Sequence, residues 1–148
     1  MKIRDLLKIK GRPVITIEPS ETVSAAIQKL VEHDRGSIPV CDKTGELLGI
    51  ITERDIVRKS FASGYDIAII SVEEVMTNEV AIGTPEDDLD YAVSVMKQKR
   101  IRHIPIVDNL KVVGMISMRD ILDVQLSEAK TEIRYVGLLN RRPQRPVI

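Results

Sequence analysis

Apolar residues along the chain fall into short runs of two kinds. Val14-Ile-Thr-Ile17, Ser37-Ile-Pro-Val-Cys41 and Leu47-Leu-Gly-Ile-Ile-Thr52 are brief, rich in β-branched residues and bounded by Pro, Gly or Asp, which predicts strands. Between the first two runs, Val23, Ala26, Ile27, Leu30 and Val31 recur at helical spacing. Asp42-Lys-Thr-Gly45 has hairpin composition and joins the second and third runs. A helix from about Glu53 to Phe61 closes the set, so the unit reads β-α-β-β-α.

The pattern then starts again. At an offset of 66, Val14-Ile-Thr-Ile-Glu-Pro19 lies over Val80-Ala-Ile-Gly-Thr-Pro85, and Ile38-Pro39-Val40 over Ile104-Pro105-Ile106. One residue is lost in a turn, and at an offset of 65 Gly49-Ile-Ile-Thr-Glu-Arg-Asp-Ile56 meets Gly114-Met-Ile-Ser-Met-Arg-Asp-Ile121. The second helix carries Leu89, Ala92, Val93 and Met96; strands follow at Ile104 to Val107 and Val112 to Ser117, then a helix from about Met118. A leading segment precedes each copy, Ile3 to Leu7 and Val72 to Met76. The expected organisation is a first repeat over 1–62, a linker over 63–71 broken at Gly64, a second repeat over 72–126, and a C-terminal helical extension and flexible tail over 127–148. Two prolines in Arg141-Arg-Pro-Gln-Arg-Pro146 bar a helix there. A unit this small is near the lower limit for independent folding. The two copies are therefore expected to pack face to face about a pseudo-twofold axis, an α/β (α+β) fold of two β-α-β-β-α repeats.

Composition narrows the function. In 148 residues, 43% are hydrophobic and 30% charged, enough for a packed core. Lys plus Arg and Asp plus Glu both number 22, so the chain lacks the basic excess of a general nucleic-acid binder. The single Cys41 excludes an internal disulfide and cysteine-rich zinc sites, and it reads as core. Ile67 to Ile70 with Val72 is too short to span a bilayer, and the N-terminus lacks the apolar region of a signal peptide, so a cytoplasmic protein with no membrane partner is expected. His33 and His103 have too few companions for a metal site, and no phosphate loop, nucleophile elbow or catalytic triad order is visible.

Two motifs carry chemistry. Thr52-x-x-Asp55 and Ser117-x-x-Asp120 stand where a strand enters a helix. Helix capping accounts for either alone. As a ligand site, the Asp oxygens accept ribose hydroxyls, while the hydroxyl and the free N–H groups at the helix start suit phosphate. Arg100-Ile-Arg-His-Ile-Pro105 is the densest basic cluster, and a solvated loop is its simplest explanation.

Taken together, these motifs resemble the CBS domain pair, named for cystathionine β-synthase and also called a Bateman module. The resemblance rests on the Pro19 and Pro85 turns, the two Ile-Pro-Val/Ile strands, and Gly49-Ile-Ile-Thr-Glu-Arg-Asp55 with its second copy, and it covers about Ile3 to Val124. It implies a non-enzymatic sensor that binds adenosine-containing ligands (AMP, ADP, ATP, NAD or S-adenosylmethionine) between repeats, requires no cofactor, forms a homodimer and acts on a separate effector protein. It also implies two sites. Site one would combine Thr52, Asp55, Arg100, Arg102, His103 and Arg119, with adenine against Val80, Ala81, Ile101 and Pro105. Site two would combine Ser117 and Asp120 with Arg35 and Arg54, and adenine against Val14, Ile15 and Pro39. Site one is expected to have the stronger phosphate end, because Gly36 and Ser37 stand where the other copy has Arg102 and His103. The alternatives are a structural or dimerisation module with an empty cleft, or a binder of another adenosyl ligand.

Overall fold

The computed structural model describes residues 1–126 and 131–137. The expected helical extension and the Arg/Pro-rich tail lie largely outside the described residues; 131–137 form neither helix nor strand. The element order is α1 (Ile3–Lys10), α2 (Val23–Glu32), β1 (Ser37–Cys41), β2 (Leu47–Thr52), α3 (Glu53–Asp55) running on into a π-helical stretch (Ile56–Phe61), α4 (Val72–Val75), α5 (Leu89–Lys99), β3 (His103–Asp108), β4 (Lys111–Ser117) and α6 (Met118–Gln125).

Each repeat is built on an antiparallel hairpin. β1 pairs with β2 from Ser37 opposite Thr52 to Cys41 opposite Leu47, and β3 pairs with β4 from His103 opposite Ser117 to Asp108 opposite Lys111. The strand expected at the start of each unit shrinks to one parallel bridge, Ile17 to Val40 and Gly83 to Ile106. Proline is the reason. Ile17 N–H donates to Pro39 O at 3.1 Å and Cys41 N–H to Ile17 O at 2.9 Å. The next rungs would need an N–H from Pro39 on one side and from Pro19 on the other, and neither has one. Pro105 and Pro85 stop the second copy in the same way, around Gly83 N–H to Pro105 O at 3.0 Å and Val107 N–H to Gly83 O at 2.8 Å.

The two leading segments change places. One core joins Ile17, Val23, Ala26, Leu30, Ile38, Val40 and Ile51 to Ile70, Val72 and Val75, residues from beyond the first repeat. The other joins Leu89, Ala92, Met96, Ile104, Ile106, Ile116 and Ile121 to Ile3 and Leu6 of the N-terminal helix. Helix α1 thus completes the second repeat and α4 the first. The supposed linker contributes too, since Ile70 is buried in the first core. The Pro turns receive the exchanged helices through matched backbone bonds. Ile3 and Arg4 donate to Asp87 and Pro85, while Val72 and Glu73 donate to Glu21 and Pro19. The glycine of each Gly-x-x-Thr/Ser motif admits them: a Cβ at Gly114 would lie 2.6 Å from Leu7 Cδ2, and one at Gly49 would lie 2.8 Å from Met76 Sδ.

Candidate functional site

Both acids are set by the same local construction. Strand β2 ends at Thr52, whose hydroxyl accepts from Asp55 N–H at 3.0 Å while Asp55 Oδ2 accepts from Thr52 N–H at 3.1 Å. Ser117 and Asp120 repeat this reciprocal cap, at 3.1 and 2.8 Å. The capping reading is therefore realised in both copies. It uses Oδ2 of each carboxylate, and each acid takes further partners.

Those further partners differ. At Asp55, Oδ1 accepts from the Thr77 hydroxyl at 3.0 Å, and Lys59 Nζ from the π-helical stretch stands 3.5 Å away. Thr77 is itself fixed by paired backbone bonds to Ile50, each 2.8 Å. At Asp120, Lys10 Nζ donates to Oδ2 at 2.9 Å and to Met115 O at 2.6 Å. Met115 is the partner of Ile50 in the repeat register, so the Lys10 ammonium occupies the position that Thr77 holds in the other copy.

The remaining expected residues fall on these two frames. Val80 and Ala81 lie on the segment between Thr77, bonded at Asp55, and Gly83, bonded to Pro105. Val14 and Ile15 lie between Lys10, bonded at Asp120, and Ile17, bonded to Pro39. The four are partly buried, as is Ile101, while Pro39 and Pro105 are buried. Arg54, Arg100, Arg102 and Arg119 are exposed, and among the described residues none makes an ion pair with either acid. Arg100 ends α5 in a left-handed conformation, φ 54°.

The sequence placed His103 with Asp55, whereas the charged groups that act on it in the structure are Asp120, Lys10 and Arg102. His103 opens β3 against repeat one, where a Cβ at Gly36 would come within 3.3 Å of its Cε1. Burial lowers its pKa, with Asp120 opposing and Lys10 and Arg102 adding to the effect. Arg35 lies within reach of the Asp120 charge. Burial and the neighbouring Arg12 lower its pKa, and Asp120 counters them. Burial pushes the Asp120 carboxyl up, but the Lys10 hydrogen bond, the Ser117 N–H, the Lys10 charge and the Ser117 hydroxyl together bring it below its ordinary value.

Sequence reasoning missed Thr77, Lys59, Lys10, Arg12 and Ser37. Arg12 donates to His33 O at 3.0 Å and Arg35 to Pro13 O at 3.3 Å, which holds the 10–15 segment against the loop before β1. Ser37 Oγ and Arg35 Nε are buried there without a hydrogen-bond partner among the described residues. Cys41 is no candidate for chemistry, since burial and then Asp42 raise its thiol to about 11. No group of three or more potential metal ligands occurs among the described residues. A depression of about 300 Å³ is lined by Met1, Asp88, Leu89, Asp90, Val124 and Gln125, and none of the candidate residues borders it.

The sequence matches the CBS domain family over residues 3–62 and 72–127, one match for each repeat. The chain belongs to the CBS-domain family. This CBS pair is 37% identical over 114 residues to the CBS domain-containing protein YhcV of Bacillus subtilis, a match covering 77% of this chain and 80% of that one. It superposes on a CBS-domain-containing protein from Agrobacterium tumefaciens with a TM-score of 0.79 and 32% identity, over 85% of this chain and all of the other. It also matches the CBS domain pair of protein MJ0100, solved with 5′-methylthioadenosine and S-adenosyl-L-methionine, with a TM-score of 0.74 and 29% identity, over 84% and 94% of the two chains. No described helix is long and apolar enough to cross a membrane.

Proposed function

We propose that this CBS pair is a non-catalytic sensor that binds an adenine nucleotide (AMP, ADP or ATP) between its repeats and reports occupancy to a partner protein in the cytoplasm. The observation that carries the reading is the twin carboxylate. Asp55 and Asp120 each stand at the end of a hairpin strand, held by a hydroxyl cap and facing a segment contributed across the repeats. A short carboxylate in that position suits vicinal ribose hydroxyls. The prolines that truncate the first strand leave the carbonyls of Ile15 and Ala81 outside the ladder, where the edge of a base can meet them. The MJ0100 pair, with its adenosyl ligands, favours a second reading of the same site, in which the ligand is a sulfonium or thioether adenosine.

Signalling needs a partner and a geometry that responds to ligand. Val57 and Phe61 follow Asp55, and Leu122 and Leu126 follow Asp120; all four are exposed apolar residues. We assign these helix faces to a homodimer interface, so that ligand drawn in between the repeats shifts the dimer by its differential affinity for the two arrangements. Calorimetric titration with AMP, ATP, 5′-methylthioadenosine and S-adenosylmethionine tests the function. Saturable binding of a nucleotide supports it, preference for the sulfur compounds selects the second reading, and no binding by any of them leaves a structural module.

A further inference from the structure

The helix that follows the motif acid winds differently in the two repeats. Beyond Asp120 the chain runs on as an α-helix to Gln125, whereas beyond Asp55 it widens into the π-helical stretch Ile56–Phe61. The repeat register supplies a reason. Ile56 matches Ile121, so Lys59 matches Val124 and Ser60 matches Gln125. In the second repeat Ile121 is buried, Val124 packs against the same core and Gln125 is exposed. An α-helix in repeat one would set Lys59 where Val124 packs. The wider turn carries Lys59 out and Ser60 in. Lys59 is exposed, while Ser60 is 1% exposed and its hydroxyl is unpartnered among the described residues. A buried hydroxyl without a partner is a cost, and π-helical turns are rare and gather at functional sites. Lys59 offsets that cost at the junction between the repeats. Its Nζ donates to Met76 O and to Thr77 Oγ1, each at 3.4 Å, and stands 3.5 Å from Asp55 Oδ1. Val124 can make none of these bonds.

We propose that the helix after Asp55 is a two-register element, latched in its wide register by Lys59 and free to rewind as an α-helix, like its twin in repeat two, when that lysine lets go. Rewinding returns the Ser60 hydroxyl to water. It also lays the methylene stem of Lys59 along the first core, as Val124 lies on the second, with the ammonium at the surface. Against these gains stands the loss of three junction contacts, all of them long. Small opposing terms of this kind keep two windings within reach of each other. Asp55 Oδ1 is the point of control, because it accepts from Thr77 and faces Lys59. A group that takes this oxygen loosens the latch, and under the nucleotide reading a ribose hydroxyl is that group. This last step rests on the nucleotide reading; the latch itself does not. Rewinding turns Val57 and Phe61 about the helix axis, so the state of Asp55 reaches the exposed apolar face. Helix α6 has no counterpart, since Lys10 of α1 answers Asp120 and Val124 gives α6 no hold on that acid.

The test uses the full chain with Ser60→Cys as a reporter, because the native Cys41 is buried and its thiol is raised to about 11. A water-soluble maleimide should label the reporter slowly. Adding Lys59→Val, which copies repeat two, should speed labelling by roughly tenfold or more. Lys59→Met, which keeps the stem, is the second variant if the β-branched residue disturbs folding. Lys59→Arg keeps the cation and should leave labelling slow. NMR of Lys59→Val without the reporter separates rewinding from unravelling. The Cα shifts of 56–62 should stay helical, and the Ser60 N–H should couple through its hydrogen bond to the Ile56 carbonyl. Shifts that fall to coil values, or labelling that stays slow in both Lys59→Val and Lys59→Met, overturn the proposal. AMP, with its binding followed by calorimetry, should speed labelling when Lys59 is present and add nothing in Lys59→Val. AMP that binds without changing the labelling rate overturns the link from Asp55 to the helix. If AMP does not bind, the nucleotide reading falls, and the Lys59 variants alone uphold or sink the latch.

Discussion

Thr77 reaches across the repeats to Asp55, its hydroxyl 3.0 Å from Oδ1, while its backbone pairs with Ile50 at the edge of β2. The acid of repeat one is thus oriented by a residue that precedes repeat two. A ligand held by Asp55 would therefore sit at the junction between the repeats.

Asp55 should therefore separate ligand binding from capping. Asp55→Ala should weaken nucleotide binding by roughly 10- to 150-fold, since charge-assisted bonds contribute about 1.5–3 kcal/mol. Asp55→Asn keeps much of the cap, and a double cycle against the 2′-deoxy ligand isolates the ribose contact. A coupling energy near zero in calorimetry would show that Asp55 serves only the helix.

The exchanged leading helix makes an unequal demand on the two repeats. Leu6 is 1% exposed inside the second core, so Leu6→Ala should destabilise by about 2–5 kcal/mol. Amide exchange should accelerate in β3, β4 and α5 ahead of β1 and β2. Equal acceleration in the first hairpin would contradict the assignment of α1 to the second repeat.

The dimer is testable at one residue. Phe61 is 86% exposed on the π-helical stretch. Analytical ultracentrifugation should show a dimer for the native chain and a monomer for Phe61→Asp. A monomeric native chain at high micromolar concentration would refute the interface.

His103 should impose a pH dependence. Its pKa is lowered on folding, so the unfolded chain takes up the proton first. Stability is then full above the ordinary value of 6.5 and declines as pH falls through it toward the folded value. The Asp120 carboxyl, also lowered, supports the fold above its ordinary value of 3.8 and stops doing so only in stronger acid. His103→Ser, the residue found at the matching position of repeat one, should flatten the decline between about pH 7 and pH 5 and leave the acid limb intact. Urea unfolding across that range measures it, and parallel curves for the two proteins would remove His103 as the cause.

Hairpins and long helices were legible in the sequence because their signals are local. Strand β1 falls on Ser37–Cys41 and β2 on Leu47–Thr52, where β-branched runs flank Asp42-Lys-Thr-Gly45. The opening strands misled, because Val14 to Ile17 has strand composition but the ladder depends on N–H groups that Pro19 and Pro39 lack. The helix exchange was hidden for another reason. Periodicity shows that Ile3, Leu6 and Leu7 share a face; it does not say which core receives that face. The paired caps at Asp55 and Asp120 were legible because their hydroxyl partners lie three residues away. Lys10 and Thr77 were missed because they reach those acids only through the exchange, from 110 and 22 residues away.

The exchange also bears on how such a chain can be divided. A lone repeat with its own leading helix would have to donate that helix to a second copy and accept one in return, as in a swapped dimer. Covalent linkage turns this transaction between molecules into an intramolecular one, at an effective concentration on the order of millimolar. Cut within 63–71, the halves would each carry the other's missing helix, and each should remain incomplete until they are mixed.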